Sequence, residues 1–269
     1  MKRIFLIVCL LFSCFIVQGQ SFLENGGGIY FDSTDDRFVF SGTGALKYID
    51  YNVPWSISFW LKFYWAGIAG YSIFTDLKDW SGDAGFVFFL DYINETYLAV
   101  PGYYLKNASE KAFGGRWVSN TLTAYTGKWV HIVISYNGTG LAQTNFSCWI
   151  NGTKLGNPSN YGSGDLVGSI SNSQPVELGK WSNTWSCNMV MDCFYVWRKC
   201  LESKEIAYLM THRVRGKWME GGVNQLLACW NFDNYFQDGM LVDESGNGCN
   251  SIAVGDSPLC VRGVEGLKR

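Results

Sequence analysis

Residues 127–156, GKWVHIVISYNGTGLAQTNFSCWINGTKLG, decide the fold. Val130, Ile132, Ile134 and Tyr136 fall on one side of a period-two ribbon, and Trp129, His131, Val133 and Ser135 on the other. A strand with two largely apolar faces belongs near the middle of a sheet. Asn137-Gly138 follows at once, and a second run, Phe146-Ser-Cys-Trp-Ile150, ends at Asn151-Gly152. Asn-Gly tolerates the positive φ angles of a two-residue type I′ turn, so Trp149-Ile150 is expected to fold back onto Thr153-Lys154-Leu155.

Working outward, Ile29 to Phe40 predicts two short strands around the loop 32–36, and Ser56 to Tyr64 alternates cleanly, with Ile57, Phe59, Leu61 and Phe63 on one side. Further strands are expected at Tyr71–Thr75, Gly85–Asp91, Tyr97–Val100, Val176–Gly179 and Asp192–Trp197. Residues 157–175, rich in Gly, Ser and Asn, form a long connection, and Leu201–Met210 is a short helix whose Ile206, Leu209 and Met210 share a face. The composition agrees: 16% charged, 17% aromatic and 31 Gly in 269 residues suit many short strands and tight turns. A net charge of −2 leaves no basic footprint for nucleic acid.

Four stretches carry a resemblance to a known family. They are Ile29-Tyr-Phe-Asp-Ser-Thr-Asp-Asp-Arg-Phe-Val39, Trp55-Ser-Ile-Ser-Phe-Trp-Leu61, the lysine-tryptophan-valine-histidine strand with its aromatic-Ile-Asn-Gly hairpin, and Met191-Asp-Cys-Phe-Tyr-Val-Trp197 with its following helix. In that order they resemble the laminin-G-like jelly-roll domains of the concanavalin-A-like lectin and glucanase superfamily, which includes pentraxins. The resemblance implies an all-β, antiparallel β-sandwich with a jelly-roll path. That fold serves binding modules, enzymes and structural repeats alike, so function has to come from the site.

Lys2-Arg3, the apolar run Ile4–Val17 and the small-residue site Val17-Gln18-Gly19 form a signal peptide over residues 1–19. Export to the cell surface, periplasm or medium is the expectation. Leu11-Phe-Ser-Cys14 resembles a lipobox, but Phe15-Ile-Val17 continues the apolar run where a lipidated terminus would turn polar. No later stretch approaches the ~20 apolar residues of a membrane span. Residues 20–221 hold the sandwich. Of nine cysteines, seven follow the signal, an odd number, and none forms a Cys-x-x-Cys pair. Cys148 and Cys193 read as core residues, and His131 as a strand residue. Five sequons, at Asn94, Asn107, Asn137, Asn145 and Asn151, would be glycosylated only in a eukaryote.

The glucanases' alternating Glu, Asp and Glu on one strand is missing here, and Asp91 with Glu95 straddles a turn, so no catalysis is expected. Two other groups stand out. Asp32, Asp35 and Asp36 crowd one loop, and the resemblance implies a structural calcium there, joined by Asp192. Trp80, Tyr103, Tyr104, Trp117, Trp181 and Trp185 read as loop or strand-end aromatics able to stack on sugar rings. The expected function is an exported, non-catalytic glycan-binding or adhesion module. A structural or protein-interaction module of a surface assembly, and a divergent glycoside hydrolase, are the alternatives.

Residues 222–269 hold a further expectation. Leu226-Leu-Ala-Cys-Trp-Asn-Phe-Asp233 and Val242-Asp-Glu-Ser-Gly-Asn-Gly248 are similar to the segment that opens the jelly roll in many relatives, yet here they lie behind it. Circular permutation would let them complete the same sandwich, with Trp230 and Phe232 in its core. A second, truncated domain would leave an apolar strand as an open edge.

Overall fold

The computed structural model describes residues 27–31, 36–40, 44–64, 70–78, 83–93, 98–118, 122–162, 164–179, 188–214, 225–233, 240–254 and 259–262. Seventeen strands run along these in order: β1 (Gly27–Phe31), β2 (Arg37–Phe40), β3 (Trp55–Phe63), β4 (Gly70–Thr75), β5 (Gly85–Ile93), β6 (Leu98–Lys106), β7 (Ala112–Arg116), β8 (Trp129–Tyr136) and β9 (Phe146–Ile150). There follow β10 (Thr153–Lys154), β11 (Ser159–Asn160), β12 (Val176–Leu178), β13 (Met189–Trp197), β14 (Leu226–Trp230), β15 (Met240–Leu241), β16 (Ser251–Val254) and β17 (Leu259–Arg262). One α-helix, α1 (Ser203–Leu209), sits between β13 and β14, closed at its start by a reciprocal Glu202–Glu205 capping box.

Two antiparallel sheets form a jelly-roll sandwich. The eight-stranded one runs β10-β9-β8-β3-β13-β1-β17, with β14 also on β13, and the nine-stranded one runs β11-β7-β6-β5-β4-β12-β2-β16-β15. All eight residues of β8 are buried between β9 and β3. The Asn-Gly turn forms as its chemistry requires: Asn151 and Gly152 take φ of 48° and 74°, and Thr153 pairs with Ile150. Between the sheets lies one large apolar core in which Trp55, Phe59, Phe74, Phe88, Phe146, Phe194 and Trp230 take part.

The far side of the eight-stranded sheet is covered as well. There α1 lays Ile206 and Leu209 over Trp60, Val133, Tyr195 and Trp197. This explains why β8 and β3 are apolar or small on both faces: one side meets the other sheet and the other meets the helix.

The C-terminal strands join both sheets. Strand β13 is paired along one side by β3, while its other side is shared. Strand β1 takes Met189–Met191, and β14 takes Phe194–Trp197, with Tyr195 opposite Cys229. The break falls at a bulge where Cys193 adopts φ of 52°. Trp230 and Phe232 are 0% and 1% exposed, and the Trp230 ring lies 4.4 Å from that of Phe40 and 5.8 Å from that of Phe194. In the other sheet β16 pairs with β2, setting Ile252 opposite Val39. Asp243 shapes the turn between β15 and β16, accepting from the backbone N–H of Cys229, Ser245 and Cys249.

Strands β6 and β7 depart from expectation. Strand β6 continues through Pro101 and Gly102 to Lys106, and β7 was not foreseen at all. Tyr103 and Tyr104 therefore lie within a strand and point to opposite faces.

Candidate functional site

The aromatics expected at the surface divide. Tyr103 is fully buried, its ring 4.1 Å from that of Phe146 and its hydroxyl donating to Gln143 Oε1 at 2.9 Å. Trp117 is 1% exposed beside it, at 5.6 Å between rings. Both are core residues, because the period-two alternation turns Tyr103 inward and Trp117 fills the sandwich next to it, so neither can stack on a ligand from solvent. Trp80, Trp181 and Trp185 lie outside the described residues, as do Asp32, Asp35 and residues 1–26.

Tyr104 is different. It stands on the outward face of the nine-stranded sheet, half-buried, within a cluster separate from the core. Its ring meets Tyr161 edge-on at 5.8 Å, and Phe89 meets Tyr161 the same way at 5.8 Å. Arg116, at the end of β7, places its guanidinium carbon 3.5 Å from the Tyr161 ring centre and 6.0 Å from that of Phe89. The same guanidinium forms an ion pair with Asp91 of β5. The Arg116 and Asp91 side chains are 25% and 7% exposed. The result is a partly open platform of two tyrosine rings and one guanidinium, with the Phe89 ring, 2% exposed, and the Asp91 carboxylate packed beneath.

Register explains how five residues from distant parts of the chain meet. Gly102 lies opposite both Phe89 and Arg116. A Cβ there would come within 2.4 Å of the Phe89 ring, so glycine lets that ring lie flat across β6 toward Arg116. Gly114 plays the same part for the loop: a Cβ would sit 2.2 Å from the Tyr161 carbonyl, and Tyr161 N–H donates to the Gly114 carbonyl at 2.9 Å. The long connection carrying Tyr161 is pinned by side chains along its length. Asn107 Nδ2 donates to the Val167 carbonyl, Asp50 accepts from Ile170 N–H at 3.1 Å, and Asn172 accepts from Lys47, which also binds Asp76 at 2.6 Å.

On the opposite side of the molecule Asp192 is fully buried, and its counter-ion is a guanidinium. Arg213, just after α1, donates Nη2 to Oδ2 at 2.7 Å and Nη1 to Oδ1 at 3.3 Å. Arg213 Nη1 also reaches the Asn231 carbonyl at 2.7 Å and Asp233 at 3.0 Å. Burial pushes the Asp192 carboxyl up to about 7 against the pull of Arg213. Asp192 is therefore held by a bidentate arginine, while Asp32 and Asp35, its expected partners at a calcium ion, lie outside the described residues. Asp36 is buried at 2% exposure, and no three His, Cys, Asp or Glu side chains converge among the described residues.

His131 is buried under α1, and that burial lowers its pKa to about 3, so it is a neutral packing residue and no base. Cys148 and Cys193 are buried and unbridged. Among the sequons, Asn107 is 7% exposed with its amide donated to the protein, whereas Asn137 is exposed.

A family model described as concanavalin A-like lectin/glucanases superfamily, laminin G type, matches residues 26–207. The chain belongs to this superfamily. No curated protein matches it. Among solved structures it is similar to a candidate carbohydrate binding protein from Bacteroides ovatus, 13% identical with a TM-score of 0.56 over 90% of this chain and 61% of that one. It is also similar to the CBM40 of a Ruminococcus gnavus IT-sialidase, 13% identical with a TM-score of 0.43 over 69% and 97%. A third is domain 4 of a GH43 extracellular arabinanase from Geobacillus stearothermophilus, solved with arabinotriose, 14% identical with a TM-score of 0.41 over 68% and 87%. At these identities the likeness speaks for the fold, and the chain spans less than two thirds of the Bacteroides protein.

Proposed function

We propose that the protein is an exported, non-catalytic glycan-binding or adhesion module whose ligand face is the outward side of the nine-stranded sheet. The observation that carries this reading is the Arg116–Tyr161 stack beside Asp91, Phe89 and Tyr104. A sugar ring needs an apolar surface for its C–H face and charged or amide groups for its hydroxyls, and this platform supplies both within one patch. The superfamily and the carbohydrate-binding neighbours lend it support. Of the carboxylates weighed for catalysis, Asp91 serves Arg116 as counter-ion, and Glu95 lies outside the described residues. Large exposed apolar residues among those described are Val118, Val167 and Met240, which are scattered along the sequence and favour a glycan over an apolar protein partner.

A panel of polysaccharides tested by affinity electrophoresis checks this. Tyr161→Ala is expected to weaken the strongest interaction at least about tenfold, that is by about 1.4 kcal/mol, with the fold intact. Unchanged mobility in every gel, or a Tyr161→Ala protein retarded like wild type, would refute the assignment of the platform.

A calcium ion at the loop of Asp32, Asp35 and Asp36, with Asp192 as the further candidate ligand, belongs to the same proposal. Calcium at 100 times its Kd should add about 2.7 kcal/mol of stability by mass action. The melting temperature is therefore expected to be several degrees higher in calcium than in chelator, and equal temperatures would exclude a structural ion.

A further inference from the structure

Three charged side chains on or beside the ligand face are held in ion pairs. Arg116 is bound to Asp91, and Arg37 to Glu177 at 3.4 Å. Lys111, beside Tyr104, is bound to Asp165 at 2.6 Å. Lys106 follows Tyr104 on the same side of β6 but is 3% exposed, so it offers a ligand no accessible charge. The Tyr104 phenol is held above its ordinary pKa, by burial first and then by its neighbours Tyr161, Asp165 and Glu110, so it meets a ligand uncharged.

Resting on the glycan-binding reading above, we propose that this face selects neutral sugars over acidic ones. A uronate, sialate or sulfate approaching Arg116 meets a guanidinium already neutralised, with the Asp91 carboxylate in contact with it. To bind Arg116 in its place, the acid would have to strip a carboxylate that is only 7% exposed of its counter-ion, and a buried charge without a partner is strongly unfavourable. A neutral ring asks for no such exchange. It stacks on Tyr161 and Tyr104 while its hydroxyls accept from the 25% exposed Arg116, leaving the Arg116–Asp91 pair intact and the pair's net charge at zero.

The test uses the full-length protein and matched probes: xylan, mannan, galactan and β-1,3-glucan, each beside its sulfated form, and lactose beside sialyllactose. The neutral member is expected to bind at least about tenfold more tightly, with little change as salt is raised past the point where exposed charges are screened. Tighter, salt-sensitive binding of the sulfated or sialylated member would overturn the selectivity while leaving glycan binding in place. Binding of none of them would remove the glycan reading and the selectivity together. Asp91→Asn releases Arg116 without changing shape, and should shift the preference toward the acidic member about tenfold. An unchanged preference in an Asp91→Asn protein that melts like wild type would overturn the role given to Asp91. Should that variant fail to fold, the salt response of the wild-type protein decides.

Discussion

Deleting residues 222–269 is expected to unfold the protein outright. The segment supplies β14, whose five residues are all buried, and β16, which pairs with β2. Without β14 the second half of β13 loses one of its two ladders, and Phe40, Phe74 and Phe194 lose the Trp230 ring they pack against. Replacing one buried tryptophan by alanine costs about 3–5 kcal/mol, and a whole domain holds only about 5–15 kcal/mol in reserve. The deletion also removes Asn231, which accepts from the Tyr195 hydroxyl and donates to the Val214 carbonyl at 2.7 Å. Circular dichroism of the truncated chain should show no cooperative melt. Trp230→Ala gives the graded version, a loss of about 3–5 kcal/mol in denaturant titration. A truncated chain that melts cooperatively at the full-length temperature would make the segment an appendage and remove the case for permutation.

Arg213→Ala is the second large effect. It leaves Asp192 fully buried without its cation, a change that costs about 3–5 kcal/mol when the carboxylate is ionised. The loss should depend on pH. Because burial raises the folded-state pKa of Asp192 above its unfolded value, this group favours folding most below about pH 4 and loses that contribution as pH rises through about 7. Removing the cation raises the folded pKa further. The variant is therefore expected to lie closest to wild type near pH 5, where Asp192 can be protonated, and furthest from it near pH 8. Asp192→Asn in the same background should recover part of the loss at pH 8. A deficit independent of pH, and unaffected by the asparagine, would show that packing of the arginine stem matters and the charge does not.

Much of the sandwich was legible because its strands announce themselves locally. Strands β3, β8 and β9 alternate without interruption, and Asn151-Gly152 has one obvious use. Strands β6 and β7 were hidden by Pro101, Gly102, Gly114 and Gly115, which look like breakers. Two of these glycines are there because something lies on them: the Phe89 ring over Gly102, and the Tyr161 backbone over Gly114. Once those strands were missed, Tyr103 and Tyr104 could not be told apart, although one is core and the other belongs to the platform. Phe89, Arg116 and Tyr161 went unnoticed for a related reason. They come from two strands and a loop far apart in sequence, and only cross-strand register brings them together. A hint was available in Gly114-Gly-Arg116, where small residues end at a lone charge. The Arg213 contact to Asp192 was not legible, since Arg213 reaches it from beyond the helix.

Hydroxyl-radical footprinting of the full-length protein, with and without a saturating concentration of the glycan it binds most tightly, tests the central claim most directly. Tyr104 and Tyr161 are both partly exposed and oxidisable. The account predicts that glycan protects these two, and that Tyr48, half-buried beside Arg198 away from the platform, keeps its rate. Protection elsewhere, with Tyr104 and Tyr161 oxidised as fast as in the free protein, would contradict it.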